Sequence, residues 1–198
     1  NNTILMFTSD HGNMLGNHSL YNIGLFYEWC TNVPMVLVPT PAQVERMGPG
    51  RLDDRLVAHA DIMPTLLDMC DIPIPSSVEG ISMVGDPTRD HLYGELGEGS
   101  TASRMVVDGH NKLIYYPVGN HCQLFDLQND PNEMNDVADE PTYSEIKSCL
   151  LELLLNNLYG TDLKWIENGN LVGLPDMERT EIYDYNPTFG NARGYRIR

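Results

Sequence analysis

Positive charge is scarce in this chain. Only 12 Lys and Arg stand against 28 Asp and Glu, a formal net charge of −16 over 198 residues. Nucleic acid and anionic membranes both reward basic patches, so neither is expected as a partner. A polyanionic polymer is disfavoured as substrate on the same ground. Long apolar runs are also missing. No stretch of 18 or more apolar residues occurs, and the densest cluster, Leu150 to Leu155, is interrupted by Glu152, so no membrane-spanning helix is expected. Cysteine is sparse. Cys30, Cys70, Cys122 and Cys149 form no CxxC pair and no regular spacing. They read as reduced, mostly buried thiols rather than a disulfide framework, a pattern that leans toward a cytoplasmic setting. The start of the chain has no Met, no basic leader and no signal-type apolar segment, so targeting signals give no localisation.

What stands at the start is an apolar strand, Thr3-Ile4-Leu5-Met6-Phe7, running into Thr8-Ser9-Asp10-His11-Gly12 and then Gly16-Asn17-His18. The run has no alternation, so it reads as a strand covered on both faces of a parallel sheet. Such a strand needs neighbours. The expectation is therefore that these residues are the C-terminal part of a longer protein, with a missing N-terminal half as partner. In open α/β sheets, ligands bind outside the carboxyl ends of strands, which is where Asp10 and His11 fall. Adjacent side chains on a strand point to opposite faces, so these two can share a metal ion only once the chain has left the extended form. Gly12 supplies backbone freedom for that departure.

Further along, Leu25 to Cys30 suits a short helix. Pro34 to Pro39 brackets a second apolar strand in an inner sheet position, and Asp61 to Met69 reads as a helix with Asp61 as N-cap. Residues 1–90 thus look like the tail of a doubly wound sheet. From His91 the character changes to short strands at roughly ten-residue spacing, Leu92–Glu95, Arg104–Val107, Lys112–Tyr116 and Gln123–Leu127, with turns at Asp108-Gly109 and Val118-Gly119-Asn120. A helix over Thr142 to Leu158, with Tyr143, Ile146, Leu150, Leu153, Leu154 and Leu158 along one stripe, is expected to cover this antiparallel meander. Residues 91–160 form that subdomain, and 161–198 read as an extended tail.

The ordered motifs Thr8 to Tyr21, Phe26-Tyr27-Glu28, Val33-Pro34-Met35-Val36, His59 to Asp68, Glu79-Gly80-Ile81-Ser82, Tyr93-Gly94-Glu95 and Leu124 to Glu133 strongly resemble the sulfatase family of the alkaline-phosphatase superfamily. The resemblance implies an α/β fold, here the C-terminal part of an alkaline-phosphatase-like sheet sandwich followed by a small antiparallel β subdomain with a covering helix. It implies a metal-dependent hydrolase of sulfuric esters, of the arylsulfatase kind, acting on a small-molecule sulfate ester. It implies a divalent metal ion, calcium before manganese or zinc, held partly by Asp10 and His11, with further acidic ligands and the nucleophile in the N-terminal half. His18 matches a catalytic histidine near the leaving oxygen or the sulfate group. The chemistry agrees, because a cation screens an anionic ester and an imidazole can protonate a departing alkoxide.

Two departures qualify this. The family usually carries a Lys where this chain has Ile23, and no Cys or Ser stands in a C/S-x-P-x-R nucleophile motif, since Cys70-Asp71-Ile72-Pro73 has its proline one place late. The chain alone is thus expected to be inactive. The alternatives are a phosphonate monoester or phosphodiester hydrolase of the same superfamily, or a non-catalytic sulfatase-like remnant. A homo-oligomer stays open, with Arg193 and Arg196 as candidates to reach a neighbouring subunit's site. Elsewhere the ordinary roles are expected. His59 is read as a structural hydrogen-bonding residue, Lys112 as a surface lysine, and Glu28 and Trp29 as anchors of their loop. Tyr115 and Tyr116 are expected to pack in the meander, His91 and Glu95 to be structural, and His110 and His121 to lie in solvated turns. The run Asp136 to Glu140 reads as a solvated approach to the helix.

Overall fold

The computed structural model describes residues 2–48, 50 and 52–176. In chain order the elements are β1 (Leu5–Thr8), α1 (Glu28–Thr31), β2 (Met35–Val38), α2 (Val44–Met47), α3 (Ile62–Met69), β3 (Leu92–Leu96), β4 (Ser103–Val107), β5 (Asn111–Tyr116), β6 (His121–Asp126), α4 (Ser144–Asn157), β7 (Ile166–Glu167) and β8 (Asn170–Leu171), with short 3-10 turns between several of them. They fall into two compact units that are not consecutive in sequence. Among the described residues, one holds those up to Asp10 together with Val33–Leu92, and the other holds His11–Asn32 together with those from Tyr93 onward.

In the first unit β1 and β2 pair antiparallel, with Leu5 opposite Val38 and Phe7 opposite Val36. This corrects the expectation of parallel pairing. Leu5, Phe7, Val36 and Val38 share one face and are 55%, 58%, 48% and 47% exposed. An unbroken apolar run reports that both faces are apolar. It reports neither the direction of the neighbouring strand nor which layers cover it. The rest of the unit is pinned by polar groups around α3. Asp61 is 1% exposed, yet its carboxylate does not cap the helix. It accepts instead from the Ala58 and Ile81 N–H groups, both at 2.8 Å, and from Arg89 at 2.6 Å. Thr65 sends its hydroxyl to the Asp61 carbonyl and accepts the Met83 N–H at 2.9 Å. Two buried side chains on one helix turn thereby hold the loop around residues 81–89, which has no regular structure of its own.

The second unit contains the meander, ordered β3-β4-β5-β6. Every residue of β4 is buried. The β4–β5 turn is fixed by Asp108, whose Oδ1 accepts the N–H groups of His110 and Asn111 at 2.8 and 2.7 Å, while Gly109 takes a φ of 91° that a side chain would resist. Helix α4 lays Leu150, Leu154 and the following Leu158 against Val106, Leu113 and Leu124, as its apolar stripe implies. Burying each such leucine is worth roughly 1.5–3 kcal/mol, which makes this seam the main apolar support of the unit.

The extended tail expected from residue 161 does not begin there. Gly160–Trp165 winds as a 3-10 helix and β7 pairs with β8 as a hairpin. The cause is a buried anchor. Trp165 is 2% exposed against Tyr115, and Arg104 lies over its ring at 5.0 Å while donating to Asp162 at 2.6 Å. The remainder of the tail, with Arg193 and Arg196, lies outside the described residues. The cysteines are free, but only Cys30 is buried; Cys122 is half-buried and Cys70 and Cys149 are exposed, which corrects the expectation of mostly buried thiols. No helix among the described residues is long and apolar enough to cross a membrane.

Arg104 and Asp162 are both nearly inaccessible, at 4% and 3% exposure, so removing one leaves the other charged and buried. Asp162→Ala is expected to lower unfolding stability by about 3–5 kcal/mol in urea titrations, and the double change Arg104→Met with Asp162→Leu to recover part of that loss.

Candidate functional site

Strand β1 ends at Thr8, and the chain then carries Ser9 and Asp10 to the surface. The Ser9 hydroxyl donates to Asp10 Oδ1 at 3.3 Å, and the ring of His59 donates from Nε2 to the Ser9 carbonyl at 2.8 Å. His59 therefore has the structural role expected of it, holding the residue before Asp10. Asp10 itself is exposed.

His11 begins the second unit. Its Nδ1 lies 2.8 Å from the Gly12 carbonyl, an acceptor only, so Nδ1 carries the proton and the ring's lone pair sits on Nε2. Gly12 is required for a reason other than the expected one. Its φ is not in the left-handed region; what it provides is space. A Cβ there would stand 2.0 Å from the Trp29 carbonyl oxygen, and the Gly12 N–H donates to the Cys30 carbonyl at 2.9 Å. Backbone packs directly on backbone where His11 leaves the loop.

A carboxylate and an imidazole with its lone pair on Nε2 suit a divalent cation as donors. They are two donors, short of a full coordination shell. Among the described residues no group of three His, Cys, Asp or Glu is arranged to hold a metal ion.

His18 stands on a backbone of unusual shape, with φ values of 44° at Leu15, 100° at Gly16, 53° at His18 and 59° at Ser19. Left-handed conformations at residues other than glycine are disfavoured by roughly 1–2 kcal/mol each, so the loop must be held from outside. Two contacts hold it. The His18 ring stacks on Tyr27 with centroids 4.4 Å apart and planes 20° from parallel, and its Nε2 lies 3.0 Å from the Asn132 carbonyl. That carbonyl accepts only, so His18 carries its proton on Nε2 and its lone pair on Nδ1, the reverse of His11.

Lys112, expected at the surface, is 1% exposed. Its ammonium donates to Glu28 Oε1 at 2.5 Å, to Glu133 Oε1 at 2.9 Å and to the Phe26 carbonyl at 2.9 Å. The Glu28 N–H donates to Glu133 Oε2 at 2.6 Å. Burial pushes the Glu133 carboxyl above the usual carboxylate range, and Lys112 pulls it back. Glu28 anchors its loop as expected, whereas Trp29 is 44% exposed and anchors only through its backbone. Sequence reasoning missed Glu133 as a partner. The one available signal was its place at the end of the Asp130-Pro131-Asn132-Glu133 motif.

Ile23, at the position of the family's usual lysine, is 39% exposed. Glu95 accepts from the Tyr159 hydroxyl at 3.0 Å, His121 stacks near Tyr116, and His110 is exposed. Asp136 does more than meet solvent, accepting the Leu124 and Ala138 N–H groups at 3.0 Å each.

Comparison with known proteins bears directly on these motifs. A family model described as N-sulphoglucosamine sulphohydrolase, C-terminal, matches residues 16–159. An arylsulfatase of Clostridium perfringens is 32% identical over an alignment of 178 positions that covers 87% of this chain and 37% of that protein. Among solved structures, a 2-O GAG sulfatase superposes with a TM-score of 0.67 at 28% identity over 78% of this chain and 35% of the other. A phosphonate monoester hydrolase of Agrobacterium radiobacter gives a TM-score of 0.67 at 26% identity, over 78% and 34%. The chain spans about a third of the length of the curated relatives it matches. The chain therefore belongs to the sulfatase family, with an α/β, alkaline-phosphatase-like fold.

Proposed function

We propose that the whole protein hydrolyses a small sulfate ester with the aid of a bound divalent cation. The observation that carries this reading is the ordered series of sulfatase motifs from Thr8-Ser9-Asp10-His11-Gly12 to Asp130-Pro131-Asn132-Glu133 in a chain that matches the family model. Asp10 and His11 are proposed as metal ligands, Asp10 through its carboxylate and His11 through Nε2. The carboxylate favours calcium, and the imidazole moves the preference toward manganese or zinc. A cation so held would screen the ester's negative charge and orient the nucleophile.

His18 is proposed as the catalytic imidazole. Nε2 is committed to the Asn132 carbonyl, so proton exchange runs through Nδ1. Protonated, that nitrogen can donate to the departing alkoxide oxygen; neutral, it can accept from a bound hydroxyl. The nucleophile is not among these residues, since no Cys or Ser stands in C/S-x-P-x-R. Activity is therefore a property of the whole gene product. A second reading is favoured by Ile23. Without the usual lysine at the anion, hydrolysis of a phosphonate monoester or phosphodiester competes with that of sulfate, and the likeness to the phosphonate monoester hydrolase supports keeping it.

The whole gene product is expected to turn over 4-nitrophenyl sulfate faster than 4-nitrophenyl phenylphosphonate or bis(4-nitrophenyl) phosphate. The reverse order would transfer the assignment to the second reading, and no turnover on any of the three with metal bound would identify a non-catalytic sulfatase-like remnant. Asp10→Asn and His11→Ala are each expected to reduce metal content after dialysis and to lower kcat/KM by at least roughly a hundredfold. Gly12→Ala leaves both proposed ligands in place but forces the Trp29 carbonyl aside. A loss of metal affinity of about tenfold is expected from titration of the metal-free protein.

A further inference from the structure

We infer that the buried Lys112–Glu28–Glu133 cluster is a positioning device for His18, fixing both the plane and the tautomer of its ring. The inference rests on the reading of His18 as the catalytic imidazole. Its evidence lies in connectivity. His18 is gripped by Tyr27 and by the Asn132 carbonyl. Tyr27 immediately precedes Glu28, and Asn132 immediately precedes Glu133. Those two glutamates are the ones that Lys112 draws together. The Phe26 carbonyl, on the other side of Tyr27, accepts the third ammonium proton, and the Glu28 N–H closes the circuit onto Glu133. Each residue that touches the imidazole is thus one peptide unit from a group clamped by the same ammonium.

Stability alone gives a poor account of this arrangement. Lys112 and Glu133 are buried with Glu28 partly exposed at one end of the cluster, and buried ion clusters are commonly matched or bettered in stability by apolar residues of similar size. What charge-assisted bonds provide is fixed geometry. The segments that need it are poorly able to hold themselves. Glu133 has a φ of 56°, and the His18 loop contains three residues other than glycine in the left-handed region. The Tyr27 ring has further support, with its hydroxyl donating to Gln123 Oε1 at 3.2 Å and its face tilted on Phe125. The stacking surface is therefore held at both ends. With Nε2–H fixed on a backbone carbonyl, Nδ1 becomes the single nitrogen available to the reaction. Lys112, Glu28 and Glu133 act through Tyr27 and Asn132 and are positioning residues.

The test is imidazole NMR on the full chain labelled with 15N-histidine, the His18 signals being identified by their loss in His18→Ala. In the unmodified chain the neutral ring should show a pyrrole-type Nε2 and a pyridine-type Nδ1. In Lys112→Met the preference should fall toward an even mixture of tautomers. Glu28→Gln, at the more exposed end of the cluster, serves as a second variant should Lys112→Met fail to fold, and should shift the balance in the same direction. Lys112→Arg should restore it in part. In the whole gene product the same variants should lower kcat by about tenfold with KM little changed, because orientation rather than binding is lost. An unaltered tautomer pattern in a folded Lys112→Met or Glu28→Gln protein would overturn the inference. Full kcat in His18→Ala would instead overturn the catalytic reading of His18, and leave the NMR result to stand on its own.

Discussion

Lys112 places an ammonium inside the meander unit, and the course of two distant loops follows from where its N–H bonds go. An unpaired charge at that depth would cost several kcal/mol, so its acceptors must arrive from elsewhere in the chain. They come from Phe26 and Glu28 on one segment and from Glu133 on another. The apolar contribution to the same loop is small. Met14, Leu25 and Cys30 make a cluster with only Leu20 and Tyr27 packed against it. Close backbone approach at Gly12 and the charge cluster around Lys112 must do what a larger core does elsewhere. The loop that carries His11 and His18 is consequently positioned by polar geometry, which is directional, rather than by apolar contact, which is not.

The acidic excess has the same meaning throughout. In composition it is a formal net charge of −16. Read from the structure, many of the carboxylates are acceptors for backbone N–H groups that turns would otherwise leave unpaired. Asp108 closes the β4–β5 turn, Asp126 accepts from Gln128 and Asn129, Asp130 from Asn135, and Asp136 from Leu124 and Ala138. Hydrogen bonds from the Asn129 side chain and the Tyr143 hydroxyl hold the Asp126 carboxyl below its usual range. In the first unit Asp61 performs the same service for Ala58 and Ile81. A fold with long irregular connections must satisfy their donors somewhere, and side-chain oxygens do so where no strand or helix is available.

This division explains which parts were legible in the sequence. The meander and α4 could be read in advance because their information is local. Short apolar runs at roughly ten-residue spacing, bounded by Asp108-Gly109 and by Val118-Gly119-Asn120, specify hairpins, and the spacing of Ile146, Leu150, Leu154 and Leu158 specifies a helix face. The sulfatase resemblance was legible for a similar reason, because its motifs are contiguous in sequence. What could not be read was pairing across long separations. Lys112 looks like any strand lysine until Glu28 and Glu133 meet it, 84 and 21 residues away. Trp165 looked like part of a tail because Arg104 and Tyr115 lie far upstream. The pairing direction of β1 was misread because an apolar run records the chemistry of both faces and nothing about its neighbours.

The two imidazoles carry the argument furthest. His11 and His18 are seven residues apart, and each ring meets a backbone carbonyl, Gly12 for one and Asn132 for the other. A carbonyl cannot donate, so each contact selects a tautomer, and the selections are opposite: Nδ1–H in His11 and Nε2–H in His18. The consequence is a division of labour written in protons. In the roles proposed for them, His11 would offer Nε2, the nitrogen at the far end of the ring, to a cation, and His18 would exchange protons through Nδ1, close to its own backbone. Exchanging these tautomers would leave every side chain in place and still disable both roles. Under those proposed roles, the conformation of the loop matters to the chemistry as well as the identity of its residues.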